Sequence, residues 1–175
     1  MYMPVFIKIV KTINVREKDN KPFEAISFPA MRLNEFVNEK DWSDSILREY
    51  LNKILFIPVV KKNKNSKIDE KYLGKSFFWE PSAKEEKIIR NEWLQYKKEV
   101  LDGRCKIVKI PAKNKKGYIE VSKLSKESQT EIIHMRPHGR DSNDRDEDYL
   151  GNSIVKQCFW LNKLFVKKLI EKNIV

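Results

Sequence analysis

The sequence predicts an α/β domain, on three observations. Short segments rich in β-branched and aromatic residues recur along the whole chain. Between them lie stretches whose apolar residues repeat at helical spacing and open on helix-capping residues. The length, 175 residues, fits one domain, a size that hides roughly 70% of the surface an unfolded chain exposes.

The elements follow in order. Residues 5–12 (VFIKIVKT) alternate in part and read as a strand, so the chain starts almost inside the sheet, as a fragment of a longer polypeptide would. Residues 16–22 form a polar turn, and 23–31 (FEAISFPAM) a second strand interrupted by Pro29; the two strands are expected to pair as a hairpin. Ser43 is expected to cap a helix over about 44–53 that buries Ile46, Leu47, Tyr50 and Leu51. Residues 54–60 (ILFIPVV) read as a central strand, with Pro58 the odd feature. Residues 61–69 form a basic loop.

Ser82 and Glu85 make a capping box, and Ile89, Trp93, Tyr96 and Val100 recur at helical spacing until Gly103 stops the run. Three short β-like segments follow, 105–110, 118–121 and 131–136, divided by lysine-rich turns. Residues 137–152 (PHGRDSNDRDEDYLGN) have no period and mark a long irregular loop, a length that is usually functional or disordered. A strand resumes at 154–160, and Asn162 is placed to cap a last helix burying Leu164, Phe165, Leu169 and, at its end, Ile170.

Composition narrows the class. The chain is 41% hydrophobic and 35% charged, so it can build a core. No run of about 18 apolar residues occurs, and the start, Met1-Tyr2-Met3-Pro4, is not a secretory leader, so a membrane partner is not expected. Cys105 and Cys158 stand far apart, without the spacing of a disulfide framework or zinc ribbon, which points to a reducing cytoplasm. Lys and Arg number 36 against 25 acidic residues, a net charge of +11 that favours acidic partners, nucleic acid first among them.

Familiar catalytic patterns are lacking. There is no glycine-rich phosphate loop, and no serine has a nearby His–acid pair. His134 and His138 cross from strand into loop, where four-residue spacing does not align two rings, and read as ordinary loop-edge histidines. Asp141, Asp144, Asp146, Glu147 and Asp148 lack the Gly and terminal Glu of a calcium loop and read as a solvated acidic stretch. Trp79, Trp93 and Phe159 sit in apolar patterns and are expected in the core, and Lys61, Lys62, Lys64, Lys113, Lys115 and Lys116 read as solvated surface before a phosphate rim.

Five blocks in order carry a resemblance: Ile9-Val10-Lys11-Thr12-Ile13, residues 50–59 (YLNKILFIPV), Phe78-Trp79-Glu80-Pro81, residues 134–140 (HMRPHGR) and residues 156–162 (KQCFWLN). They resemble the MutH/Sau-three-AI family of GATC-specific endonucleases, most closely the C-terminal half of its type II restriction enzymes. The resemblance implies a restriction-endonuclease-like fold, a mixed central sheet flanked by helices, that grips duplex DNA in a cleft between two lobes. Family members hold Mg²⁺ with an upstream Asp and the Glu of a Glu-x-Lys. Here the matching tripeptide is Ile9-Val10-Lys11, so the Lys remains, the Glu position is apolar and the upstream Asp has no counterpart.

The expected function is therefore sequence-specific DNA binding at GATC by a non-catalytic effector domain of a type II restriction endonuclease. Its partners would be GATC duplex and an N-terminal catalytic half of the same polypeptide; Mg²⁺ would serve that half, and no cofactor this one. The alternatives are an active Mg²⁺ nuclease in which Glu24 on the second strand has taken over metal binding, and a purely structural half. Recognition maps onto Arg136-Pro137-His138-Gly139-Arg140, by resemblance a loop that enters the major groove. A guanidinium donates two hydrogen bonds to guanine O6 and N7, Pro stiffens the loop, and Gly139 would let backbone approach a base edge. The competing role for Arg136 is an ion pair with the 144–148 acids. Lys156 matches a family Lys near the DNA phosphates, and the family's methyl-sensing Tyr position is Ile154.

Overall fold

A computed structural model describes residues 9–106, 108–111, 117–141 and 143–174; the expected strand residues 5–8 and Lys113, Lys115 and Lys116 lie outside them. Strand β1 (Ile9–Arg16) runs parallel to β3 (Ile54–Lys61), Ile9 opposite Ile54 and Arg16 opposite Lys61. A parallel pair needs a long crossover, and residues 17–53 supply it with β2 (Ile26–Ser27), α1 (Leu33–Asn38), a 3₁₀ turn (Trp42–Asp44) and α2 (Ile46–Leu51).

The far edge of β3 takes two short antiparallel strands, β5 (Phe77–Trp79) against Ile54–Phe56 and β4 (Tyr72–Leu73) against Val59–Val60. Pro58, which has no N–H to donate, falls in the gap between them, and its carbonyl accepts the Gly74 N–H at 2.8 Å. Thus β3 is the central strand of a mixed sheet.

The expected hairpin of the first two strands does not form. β1 and the returning chain share one bridge, Val15 with Pro22, and β2 then pairs with β11 (Gln157–Leu161), Trp160 facing Ser27. Burial decides this: Ile26 and Phe28 enter the core, and Phe28 N–H bonds the Phe159 carbonyl. β11 pairs on its other side with β8 (Ile133–Pro137), so the second sheet has the order β2-β11-β8.

Helix α3 (Ala83–Leu101) follows the sequence reading closely. Ser82 and Glu85 form the reciprocal box, Ile89, Trp93, Tyr96 and Val100 are buried, and Gly103 takes the left-handed φ of 71° that ends a helix. Trp79 and Phe159 are also in the core. Other expectations need correction. Ser45 caps α2, Ser43 and Asp44 belong to the preceding turn, and Ile46 points outward. α1 was not anticipated, because six residues are too few to show a period. In α4 (Lys163–Ile174) the buried positions are Val166, Leu169 and Ile170, while Leu164 is exposed. Asn162 does precede α4 and its carbonyl accepts the Val166 N–H, but its side-chain oxygen bonds His134, and Glu127 accepts the Lys163 N–H. The 137–152 loop contains β9 (Arg145–Glu147), paired with β10 (Ser153–Val155), and the expected 154–160 strand breaks at Lys156 into β10 and β11. β6 (Val108–Pro111) and β7 (Tyr118–Val121) form a separate ribbon.

Glu92 ties α3 to the second sheet. This buried carboxylate on α3 accepts the backbone N–H groups of Glu131, Ile132 and Ile133 where β8 begins. Burial pushes its pKa up despite those bonds. Glu92→Ala orphans these donors and should cost about 2–3 kcal/mol in urea melts, and Glu92→Gln, which keeps one acceptor, about 1. A raised carboxyl pKa contributes stability that is complete below the usual carboxylate range and lost as pH rises through the raised value. Glu92→Gln should therefore compare better with the parent at neutral pH than near pH 4; a pH-independent gap would contradict the assignment.

Candidate nucleic-acid interface

β8 carries the chain from the Glu92 anchor outward to Arg136, Pro137, His138, Gly139 and Arg140. On its outer face Arg136 stands opposite Cys158 and His134 opposite Trp160. Arg136 and Pro137 are exposed, and the Arg136 guanidinium lies over the Trp160 indole, Cζ 3.7 Å from the ring centroid. The His138 ring meets the same indole edge-on at 4.8 Å. His134 is buried, bonds Asn162 Oδ1 through Nδ1 at 2.6 Å, and has its pKa lowered by burial, which keeps the ring neutral.

The acids at 144–148 do not take Arg136. Asp144 pairs with Lys156 at 2.7 Å, also accepts the Arg140 N–H, and gives its carbonyl to the Lys156 N–H. Asp148 is buried and accepts the N–H groups of Leu150 and Asn152 and the Asn152 amide. The stretch is thus a framework for the loop, a correction to its reading as solvated acids. Gly139 is needed for the same framework: a Cβ there would meet the Asp144 carbonyl oxygen and Val155 Cγ1, each at 2.8 Å. Its close approach is to its own loop, not the approach to a base edge that the sequence suggested. The Arg140 side chain is 88% exposed and 3.8 Å from the Asp141 carboxylate. Lys156 opens onto a cleft of about 400 Å³ that Arg32 and Arg145 also line; Arg145 is held by the Ser153 hydroxyl and carbonyl.

The degenerate motif lies elsewhere. Ile9 packs against the core, and Lys11 is half-buried, its ammonium bonding the Ser27 carbonyl at 2.6 Å and lying 5.3 Å from the Phe28 ring centre. Burial lowers its pKa. Glu24 is exposed in the approach to β2 and not on a strand. Among the described residues no group of three or more His, Cys, Asp or Glu side chains converges as a metal site. An apolar side chain and a bonded ammonium do not fit a hard cation such as Mg²⁺. Ile154 is 1% exposed and faces the core, where it offers nothing to a base. Lys61 is buried under the Phe23 ring, leaving Lys62 and Lys64 exposed. Among the described residues no helix is long and apolar enough to cross a membrane.

Residues 9–92 match the family model described as DNA mismatch repair enzyme MutH. The chain is 27% identical over 193 residues to the type II restriction enzyme Sau3AI of Staphylococcus aureus, an alignment covering 93% of this chain and 38% of that one. The chain is MutH/Sau3AI-like. It is 25% identical over 100 residues to the mismatch repair protein MutH of Actinobacillus pleuropneumoniae serotype 5b, covering 57% of this chain and 36% of that one. With MutH of Vibrio parahaemolyticus the figures are 23% over 138 residues, 77% and 53%. The chain thus spans between about a third and a half of these relatives. The fold is the MutH-like restriction-endonuclease fold, a mixed sheet flanked by helices. The family-model match runs from β1 into α3 and includes Ile9 and Lys11, whereas the arm from Arg136 to Lys156 falls within the Sau3AI alignment.

Sequence reasoning missed Trp160, Arg32, Arg145 and the framework role of Asp144. The one available signal was the alternation Cys158, Trp160 along β11, which puts both side chains on the face of Arg136 and His134.

The Arg140 N–H and then the Lys156 ammonium hold the Asp144 carboxyl below its usual pKa. Its contribution to loop order is complete above the ordinary Asp range and lost as pH falls through the depressed value. The Arg140 and Lys156 amide NMR signals should therefore stay constant from neutral pH to about 4 and shift only below it. Asp144→Asn should remove that step; a transition persisting in the variant would place it on another group.

Proposed function

We propose that this chain binds duplex DNA at GATC without cutting it, as the effector half of a MutH/Sau3AI-like restriction endonuclease. One contrast carries the reading: Arg136 stands exposed on β8 just ahead of a braced loop, while Ile9, which by resemblance stands where the family keeps a metal ligand, packs against the core. Arg136 near the end of β8 and Arg140 in the loop after it are both exposed, and a guanidinium can read a guanine edge in the major groove. Lys156, with Arg32 and Arg145 around the neighbouring cleft, suits the phosphate backbone, whose contacts position a protein without reading sequence. The missing carboxylates leave Lys11 as a strut between β1 and β2. Cleavage, and the Mg²⁺ it requires, would belong to an N-terminal half of the same polypeptide, consistent with the 38% of Sau3AI that this chain spans.

The test is incubation of excess protein with GATC and scrambled duplexes in Mg²⁺ or Mn²⁺. GATC should be retained preferentially in a gel shift and both strands recovered whole. Scission 5′ of the G that Glu24→Ala abolishes would overturn the effector reading in favour of a relocated carboxylate, and equal retention of both duplexes would leave only a structural half.

Base and phosphate contacts separate by mutation. Arg136→Ala should cost about 1–3 kcal/mol on GATC and little on a scrambled duplex. Lys156→Ala should weaken both duplexes alike and make the slope of log affinity against log salt shallower by about one unit. Equal losses from Arg136→Ala on both duplexes, with the fold intact, would remove Arg136 from base readout.

A further inference from the structure

We infer that Trp160 is a specificity-determining residue: its indole is the platform that holds the Arg136 guanidinium ready for a guanine edge. This rests on the GATC-binding reading and adds a residue that touches no DNA itself.

The cross-strand geometry makes the platform. Arg136 is directly opposite Cys158, so Trp160 lies one diagonal step away on the same face, within reach of a long side chain. The residue between them is small, which lets the Arg side chain fold across Cys158 to the ring, where Cζ sits 3.7 Å from the centroid. The indole itself is fixed. Trp160 is 9% exposed, clusters with Ala25 and Cys158, and lies in the middle strand of its sheet, between β2 and β8. His138 braces it edge-on. The indole N–H is buried and has no hydrogen-bond partner, so what the residue offers Arg136 is the face of its ring.

Stacking suits base reading better than an ion pair would. A guanidinium held over an indole face keeps its N–H donors in its own plane, directed outward from its edge, where a bidentate acceptor pair can meet them. A carboxylate partner would occupy those donors, and the nearby acid Asp144 is engaged by Lys156 and the Arg140 N–H instead. Much of the rotamer freedom of Arg136 is thus lost on folding and not on binding, which is preorganisation.

The experiment is a double-mutant cycle on the GATC-to-scrambled affinity ratio, measured across a salt series for the whole chain, Arg136→Ala, Trp160→Leu and the double variant. Trp160→Leu should lower the ratio about tenfold while leaving the salt slope unchanged, since no phosphate contact is touched. The double variant should discriminate no worse than Arg136→Ala alone, because the platform acts only through the guanidinium. If Trp160→Leu does not melt cooperatively, Trp160→Phe, which keeps a ring in β11, replaces it with an expected loss of two- to fivefold. A collapse of discrimination in Arg136→Ala with a wild-type ratio in the Trp160 variants would overturn the platform and leave the GATC reading standing. An unchanged ratio in Arg136→Ala would instead defeat that reading of the loop, and the platform with it.

Discussion

The buried carboxylate of Glu92 is the interaction on which the rest of this architecture depends. Helix α3 packs against α1 and β8, and its Glu92 faces the three N–H groups at the entrance to β8. One carboxylate accepts all three. Burying it costs solvation, which its raised pKa registers, but leaving several backbone donors dry would cost more. The direction in which β8 leaves the core, and so where Arg136 is presented, follows from that anchor. Nearby, Tyr96 donates to the Ser125 carbonyl and Glu99 accepts the Ser125 N–H, extending the same seam along α3.

The start of β1 is committed to packing. Ile9 contributes apolar surface to the core, and Lys11 reaches across to the Ser27 carbonyl. That bond joins β1 to β2 where ladder pairing between them is absent, so a lysine of a metal-dependent pattern serves as a cross-sheet strut. Its depressed pKa reflects the same burial.

The loop that follows β8 is held by its own acids. In a chain of net charge +11, Asp148 organises a turn by accepting two backbone N–H groups, and Asp144 accepts that of Arg140. Asp144 also restrains Lys156. Negative charge here fixes the loop in a single shape, and Gly139 lets the chain pass so closely that a methyl group would collide with backbone. The guanidinium groups of Arg136 and Arg140 remain exposed beside this framework.

What the sequence determined by itself was local. The capping box and apolar repeat of α3, the centrality of β3 and the core places of Trp79, Trp93 and Phe159 were legible because each depends on residues within a few positions of one another. The proposed recognition residues were legible only through resemblance, because no local pattern marks a base contact. Tertiary structure decided the rest. β2 abandoned the expected hairpin for β11 because Ile26 and Phe28 bury better there, a choice set by residues more than 130 positions away. Asn162 was read as a cap but serves His134, and the acidic stretch was read as solvated although Asp148 is buried. Trp160 showed only as one more apolar residue until pairing set it diagonal to Arg136. Periodicity reports which side of an element is buried, but not what waits on that side, because partners brought together by long-range packing leave no mark on the spacing of either segment.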